Sequence, residues 1–89
     1  MVTGIVLVNV ERAMLQNVID GLRKIKGIAE VYAVAGEYDL VLMIRVGDNA
    51  QLADIIANQL TRDRGIIHTK TLVSLKAYSE IDLEKFFLN

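Results

Sequence analysis

Along Thr3–Val10 the valines at 6, 8 and 10 alternate with Ile5 and Leu7, so this β-branched run carries two apolar faces and reads as a strand buried from both sides. Leu15, Val18, Ile19, Leu22 and Ile25 then draw a single apolar stripe, which predicts a helix over Ala13–Ile25. Gly27 follows as a stop, and Arg23, Lys24 and Lys26 suit the negative end of the helix dipole. Residues 28–35 and 38–46 read as two strands joined in a short hairpin at Gly36 and Glu37, where glycine permits a positive φ. Asp48 offers an N-cap with Gln51 three residues on, and Leu52, Ile55, Ile56 and Leu60 predict a second helix closing near Arg62.

After Gly65 the alternation returns, predicting a long strand over Ile66–Tyr78. One face carries Ile67, Thr69, Thr71 and Val73, and the other, wetter face carries His68, Lys70, Ser74 and Lys76. The tail, residues 79–89, has an apolar cluster of Leu83, Phe86, Phe87 and Leu88 behind a capping-box-like start and predicts a brief helix.

The order βαββαβ predicts an α+β fold of the ferredoxin-like type, a four-stranded antiparallel sheet with two helices on one face. Its central strands are the first and third, which are also the two most apolar on both sides. Helices on one face leave the other apolar face uncovered, and a second copy of the same sheet is the simplest cover, giving a dimeric α+β barrel. Composition strengthens this. The 89 residues allow a single domain, 1–89, with a core over about 3–78, and 53% of them are hydrophobic. That is more apolar surface than so small a domain hides alone, which points to self-association.

Charge and residue types narrow the chemistry. There is no cysteine, so disulfides and thiolate chemistry are excluded. Ten basic against eleven acidic side chains give a net charge of −1 and no footprint for a polyanion, so no direct nucleic-acid partner is expected. No apolar run reaches membrane-spanning length and no leader pattern stands at the N-terminus, which predicts a cytoplasmic protein with no membrane partner. His68 is the single histidine, and the glycines never take the spacing of a phosphate-cradling loop. No catalytic residue, metal site or cofactor is predicted.

The stretch Val34-Ala35-Gly36-Glu37-Tyr38-Asp39 places a glycine, an aromatic ring and two carboxylates at one turn. Backbone N–H groups beside such a glycine can hold a carboxylate, and Glu37 or Asp39 can pair with an ammonium, together matching the two charged ends of a free α-amino acid. The same residues also make an ordinary solvated hairpin turn.

Gly36-Glu37-Tyr38-Asp39-Leu40, followed by aliphatic residues, resembles the Gly-x-Tyr-Asp motif of the leucine-responsive (Lrp/AsnC) effector-binding domain, also called the RAM domain. Lys26-Gly27-Ile28-Ala29-Glu30-Val31 and Gly65-Ile66-Ile67-His68-Thr69-Lys70-Thr71 resemble two further motifs of that family, in the right order, so the likeness runs over roughly residues 3–78. The resemblance implies a homodimer that assembles into higher oligomers and binds a small amino-acid effector where dimers meet. It assigns ligand contacts to Gly36, Tyr38 and Asp39, with Ala35 and Glu37 as neighbours. Thr69 and Thr71 match the fourth-strand threonines, whose alternative role is strand packing. Family regulators carry an N-terminal helix-turn-helix domain, whereas here the first strand begins by about residue 3. The expectation is therefore a sensing module without its own DNA-binding domain, with full-length Lrp/AsnC regulators as candidate partners. Two alternatives stay open at this point: a small dimeric α+β-barrel enzyme using Tyr32, Tyr38, Asp39 and His68, and an oligomerisation adaptor without ligand.

Overall fold

The computed structural model of the chain describes residues 1–78. Strands β1 (Val2–Val10), β2 (Ile28–Ala33), β3 (Leu40–Val46) and β4 (Ile66–Val73) form one antiparallel sheet in the order β2-β3-β1-β4. A 3-10 turn (Arg12–Met14) and α1 (Leu15–Leu22) join β1 to β2. From β3 the chain enters α2 (Asn49–Asp54), which continues through a π-helical stretch (Ile55–Gln59) and a 3-10 turn (Leu60–Arg62) into β4. This is the ferredoxin-like plan predicted from the alternation, with the first and third strands in the centre.

The pleat sorts the side chains. Val6, Val8 and Val10 of β1 and Leu40, Leu42 and Ile44 of β3 point to the helical side and are buried. Val18 and Leu22 of α1 close over them, together with Leu52, Ile55 and Leu60 from the second helical segment. The core is aliphatic throughout, and no polar side chain among the described residues is buried in it.

On the other face, Ile5 pairs with Met43 and Leu72 while Leu7 pairs with Val41 and Lys70, so a patch of aliphatic side chains runs across three strands. Tyr32, opposite Val41, extends it onto β2 and is 48% exposed. No segment of the described chain covers this face. Along its β2 border Arg45 Nη1 lies 3.1 Å from Glu30 Oε1, and the Tyr32 hydroxyl donates to Glu30 Oε2. Those two contacts, the tyrosine's first, hold the Glu30 carboxyl below the usual carboxylate range.

Several boundaries differ from the sequence reading. α1 ends at Leu22 rather than Ile25, because Lys24 and Ile25 donate three residues back, to Gly21 and Leu22, and tighten the chain into turns. β4 ends at Val73 rather than Tyr78. Among the described residues its sole neighbour is β1, whose pairing runs out at Gly4 opposite Val73, with a last bond from the Ser74 N–H to the Thr3 carbonyl. Both outer strands slip in register: Ile28 pairs with Ile44 and Glu30 with Met43, while Asn9 pairs with His68 and Val10 with Ile66. Ala29 and Ile67 are left unopposed. The helix predicted within 79–89 lies outside the described residues.

Candidate functional site

The expected two-residue hairpin at Gly36 and Glu37 is instead a six-residue connection, 34–39, closed by Asp39. Its N–H donates to the Val8 carbonyl at 2.9 Å, and its Oδ2 accepts from the Val10 N–H, also at 2.9 Å. The Val34 N–H donates to the Asp39 carbonyl at 3.0 Å, and Asn9 Nδ2 donates to the Glu37 carbonyl at 2.8 Å. The last residues of β1 therefore grip the turn. Gly36 sits at φ 131°, a conformation that side chains disfavour, although nothing lies within 4 Å of where its Cβ would stand. The glycine is needed for the backbone path and not for room.

This arrangement changes the role of Asp39. One carboxylate oxygen satisfies a backbone donor at the end of β1, while Oδ1 retains its capacity to accept a ligand ammonium. Glu37, Ala35 and Gly36 stand exposed at the tip, and Tyr38 is half-buried. Asp39→Ala is expected to destabilise the protein by about 1–3 kcal/mol, since the Val10 N–H loses its acceptor in a partly buried place. Asp39→Asn keeps an acceptor oxygen and is expected to melt close to the parent. Equal losses in chemical denaturation of the two variants would show that the charge, rather than the hydrogen bond, holds the turn.

Thr69 and Thr71 do not join this turn directly. They pair with Val8 and Val6 on the helical side of β4 and are half-buried. Thr69 shares a row with Val8 and Leu40, so it stands two strand spacings, about 10 Å, from the start of β3. The groups that an enzyme reading would combine are likewise apart: Tyr32 and His68 lie on the uncovered face of opposite outer strands, and Asp39 is bonded to β1. Among the described residues no group of acidic or imidazole side chains could hold a metal, and no helix is long and apolar enough to cross a membrane.

At the opposite end of the sheet, where β3 finishes, an open cleft of ≈ 720 Å³ lies between the second helical segment and the turn entering β2. Lys26, Gly27, Val46, Asp54, Ile55 and Gln59 line it. The sequence reading passed over it, because these residues belong to three separate segments and form no motif. Gly27, read there as a helix stop and as part of a family-like motif, was among its local signals.

The family model of the Lrp/AsnC ligand binding domain matches residues 3–82. An uncharacterised HTH-type transcriptional regulator of Pyrococcus abyssi is 34% identical over 65 residues, 73% of this chain and 43% of the relative. The chain thus spans less than half the length of the curated relatives it matches. Among solved structures, TTHA0845 from Thermus thermophilus has a TM-score of 0.85 at 31% identity, covering 90% of this chain and all of that one. The transcriptional regulator NMB0573 of Neisseria meningitidis, solved as a complex with L-Met, has a TM-score of 0.76 at 14% identity, covering 96% of this chain and 58% of that one.

Proposed function

Because the chain belongs to the Lrp/AsnC ligand binding domain family, we propose that it is an amino-acid-responsive oligomerisation module of transcription regulation, acting in the cytoplasm without catalysis of its own. The observation that carries this reading is the uncovered sheet face. Ile5, Leu7, Val41 and Met43 form a continuous aliphatic surface there, and face-to-face stacking of two sheets is the packing that removes it from water. The effector site of this reading is the 34–39 turn at a contact between protomers, where Asp39 Oδ1 and Glu37 face a ligand ammonium and the backbone around Gly36 its carboxylate. Thr69 and Thr71 are outer contacts of the same site. The L-Met complex of the Neisseria regulator supports the ligand class. Full-length family regulators are the partners this reading favours after a second copy of the chain.

Ligand can shift such an assembly only by binding its states unequally. The test is a thermal-unfolding scan against the twenty common amino acids at millimolar concentration. A ligand at 100 times its Kd stabilises the native state by about 2.7 kcal/mol, a visible rise in melting temperature. A selective rise for one or a few amino acids is the expected result. A flat response across the panel would sink the amino-acid reading and leave an adaptor without such a ligand.

A further inference from the structure

The uncovered face carries its charges at two borders, and we propose that Glu30 on β2 and Lys70 on β4 are a reciprocal pair that selects a second copy of this chain and fixes which way round it stacks. This rests on the sheet-to-sheet association proposed above and adds its orientation and selectivity. The middle of the face is aliphatic and would accept an apolar sheet in any direction. On the described strands the ionisable groups of this side are Glu30 and Tyr32 on β2, Arg45 at the end of β3, and His68 and Lys70 on β4. Arg45 bonds Glu30 Oε1 at 3.1 Å and the Tyr32 hydroxyl donates to Oε2, so the carboxylate is held in place with lone pairs to spare. Lys70 is exposed and makes no ion pair among the described residues.

Two copies that present the same surface to each other are related by a twofold axis lying between their sheets. For aligned strands that axis has two choices. An axis along the strands lays β2 of one copy over β4 of the other, and an axis across them lays each outer strand over its own counterpart. Tyr32, Val41, Leu7 and Lys70 form one cross-strand row, and Glu30 stands in the next row, opposite Met43. With the axis along the strands a row meets the same row reversed, so the partner's Lys70 comes down on Tyr32. The Tyr32 hydroxyl is bonded to the Glu30 carboxylate, and the ring face adds a second attraction for the ammonium. Two such contacts form in each dimer, one at either border. With the axis across the strands Lys70 meets the partner's Lys70 instead, and the Glu30–Arg45 pair meets its own duplicate and gains no countercharge. Opposed like charges in a closing interface disfavour that arrangement. A different chain of the same fold then joins this one only if it carries an acid and a base at the same two places.

The test is a charge exchange followed by sedimentation velocity of the full chain at low salt, where screening is weakest. Lys70→Glu and Glu30→Lys each set like charges against one another at both borders, and each is expected to weaken self-association about tenfold or more. Mixed in equal amounts, the two variants restore an acid opposite a base at both borders, so the mixture is expected to associate nearly as tightly as the parent. Circular dichroism of each variant serves as the folding control. Lys70→Glu mixed with the parent provides a second measurement that does not depend on Glu30→Lys folding. It forms one matched and one opposed border with the parent and is expected to pair with it less tightly than the parent pairs with itself. A mixed dimer tighter than the parent's own would show β4 lying over β4 and overturn the orientation. Single variants that associate like the parent, while Ile5→Glu abolishes association, would overturn the charge selection and leave the sheet-to-sheet interface standing. A parent that stays monomeric, or an Ile5→Glu variant that associates like it, would overturn both.

Discussion

Leu42→Ala is expected to lower stability by about 2–5 kcal/mol, the cost of removing a buried leucine from a core that cannot collapse to fill the space. Leu42 is fully buried at the middle of β3, between Val6 of β1 and Val31 of β2, on the side that the helices cover. For a domain of this size each kcal/mol corresponds to about 4–8 °C, so the midpoint should fall by roughly 8–40 °C in a thermal scan. Leu72→Ala is the matched control. That leucine is 45% exposed on the outer strand β4, and its truncation is expected to cost less than about 1 kcal/mol at protein concentrations that favour the monomer. Equal losses for the two would place the core on the wrong side of the sheet.

The second large effect concerns assembly rather than folding. Ile5→Glu puts a carboxylate between Met43 and Leu72, in the middle of the uncovered face, where sheet-to-sheet stacking would bury it without a partner. In the isolated protomer the position is half-buried and open to water on the uncovered side, so the same side chain can reach solvent. Sedimentation velocity should therefore show the variant as a monomer at concentrations where the parent associates. The parent's melting temperature should rise with concentration, by mass action, and the variant's should not. A variant that sediments with the parent would mean that association uses another surface and would remove the main support for the proposed function.

Most of the fold was legible because two periods dominate the chain. Alternation in β1 and β3 identifies two strands, the 3.6-residue stripe through Val18 and Leu22 identifies a helix and its buried side, and the identity of the central strands followed from which runs were apolar on both faces. What stayed hidden depends on partners that are distant in sequence. Nothing local says that Asp39 will accept from Val10, the bond that ties the six-residue connection to the end of β1. The alternation of β4 continues to Tyr78, but a strand needs a neighbour, and its bonding to β1 ends with the Ser74 N–H on the Thr3 carbonyl. The π stretch escapes for another reason: Leu52, Ile55, Ile56 and Leu60 fit an ordinary helical stripe, and the wider turn shows only in where the Leu60 N–H donates, to the Ile55 carbonyl five residues back, and in the reach of Gln59 to Asp54. The turn residues were recognised by their chemistry, but how the turn is held was not.

The register slips in β2 and β4 bear on how this sheet avoids uncontrolled growth. An open four-stranded sheet has two rims of unsatisfied backbone donors and acceptors, and a straight rim is a template onto which further copies can add without end. Here each rim is broken, by Ala29 on one side and Ile67 on the other. Lys70 adds a charge on the β4 side. Such interruptions disfavour strand-by-strand polymerisation into fibres while leaving the aliphatic face free to form closed, finite complexes. A protein that is more than half hydrophobic can then be sticky in one direction only.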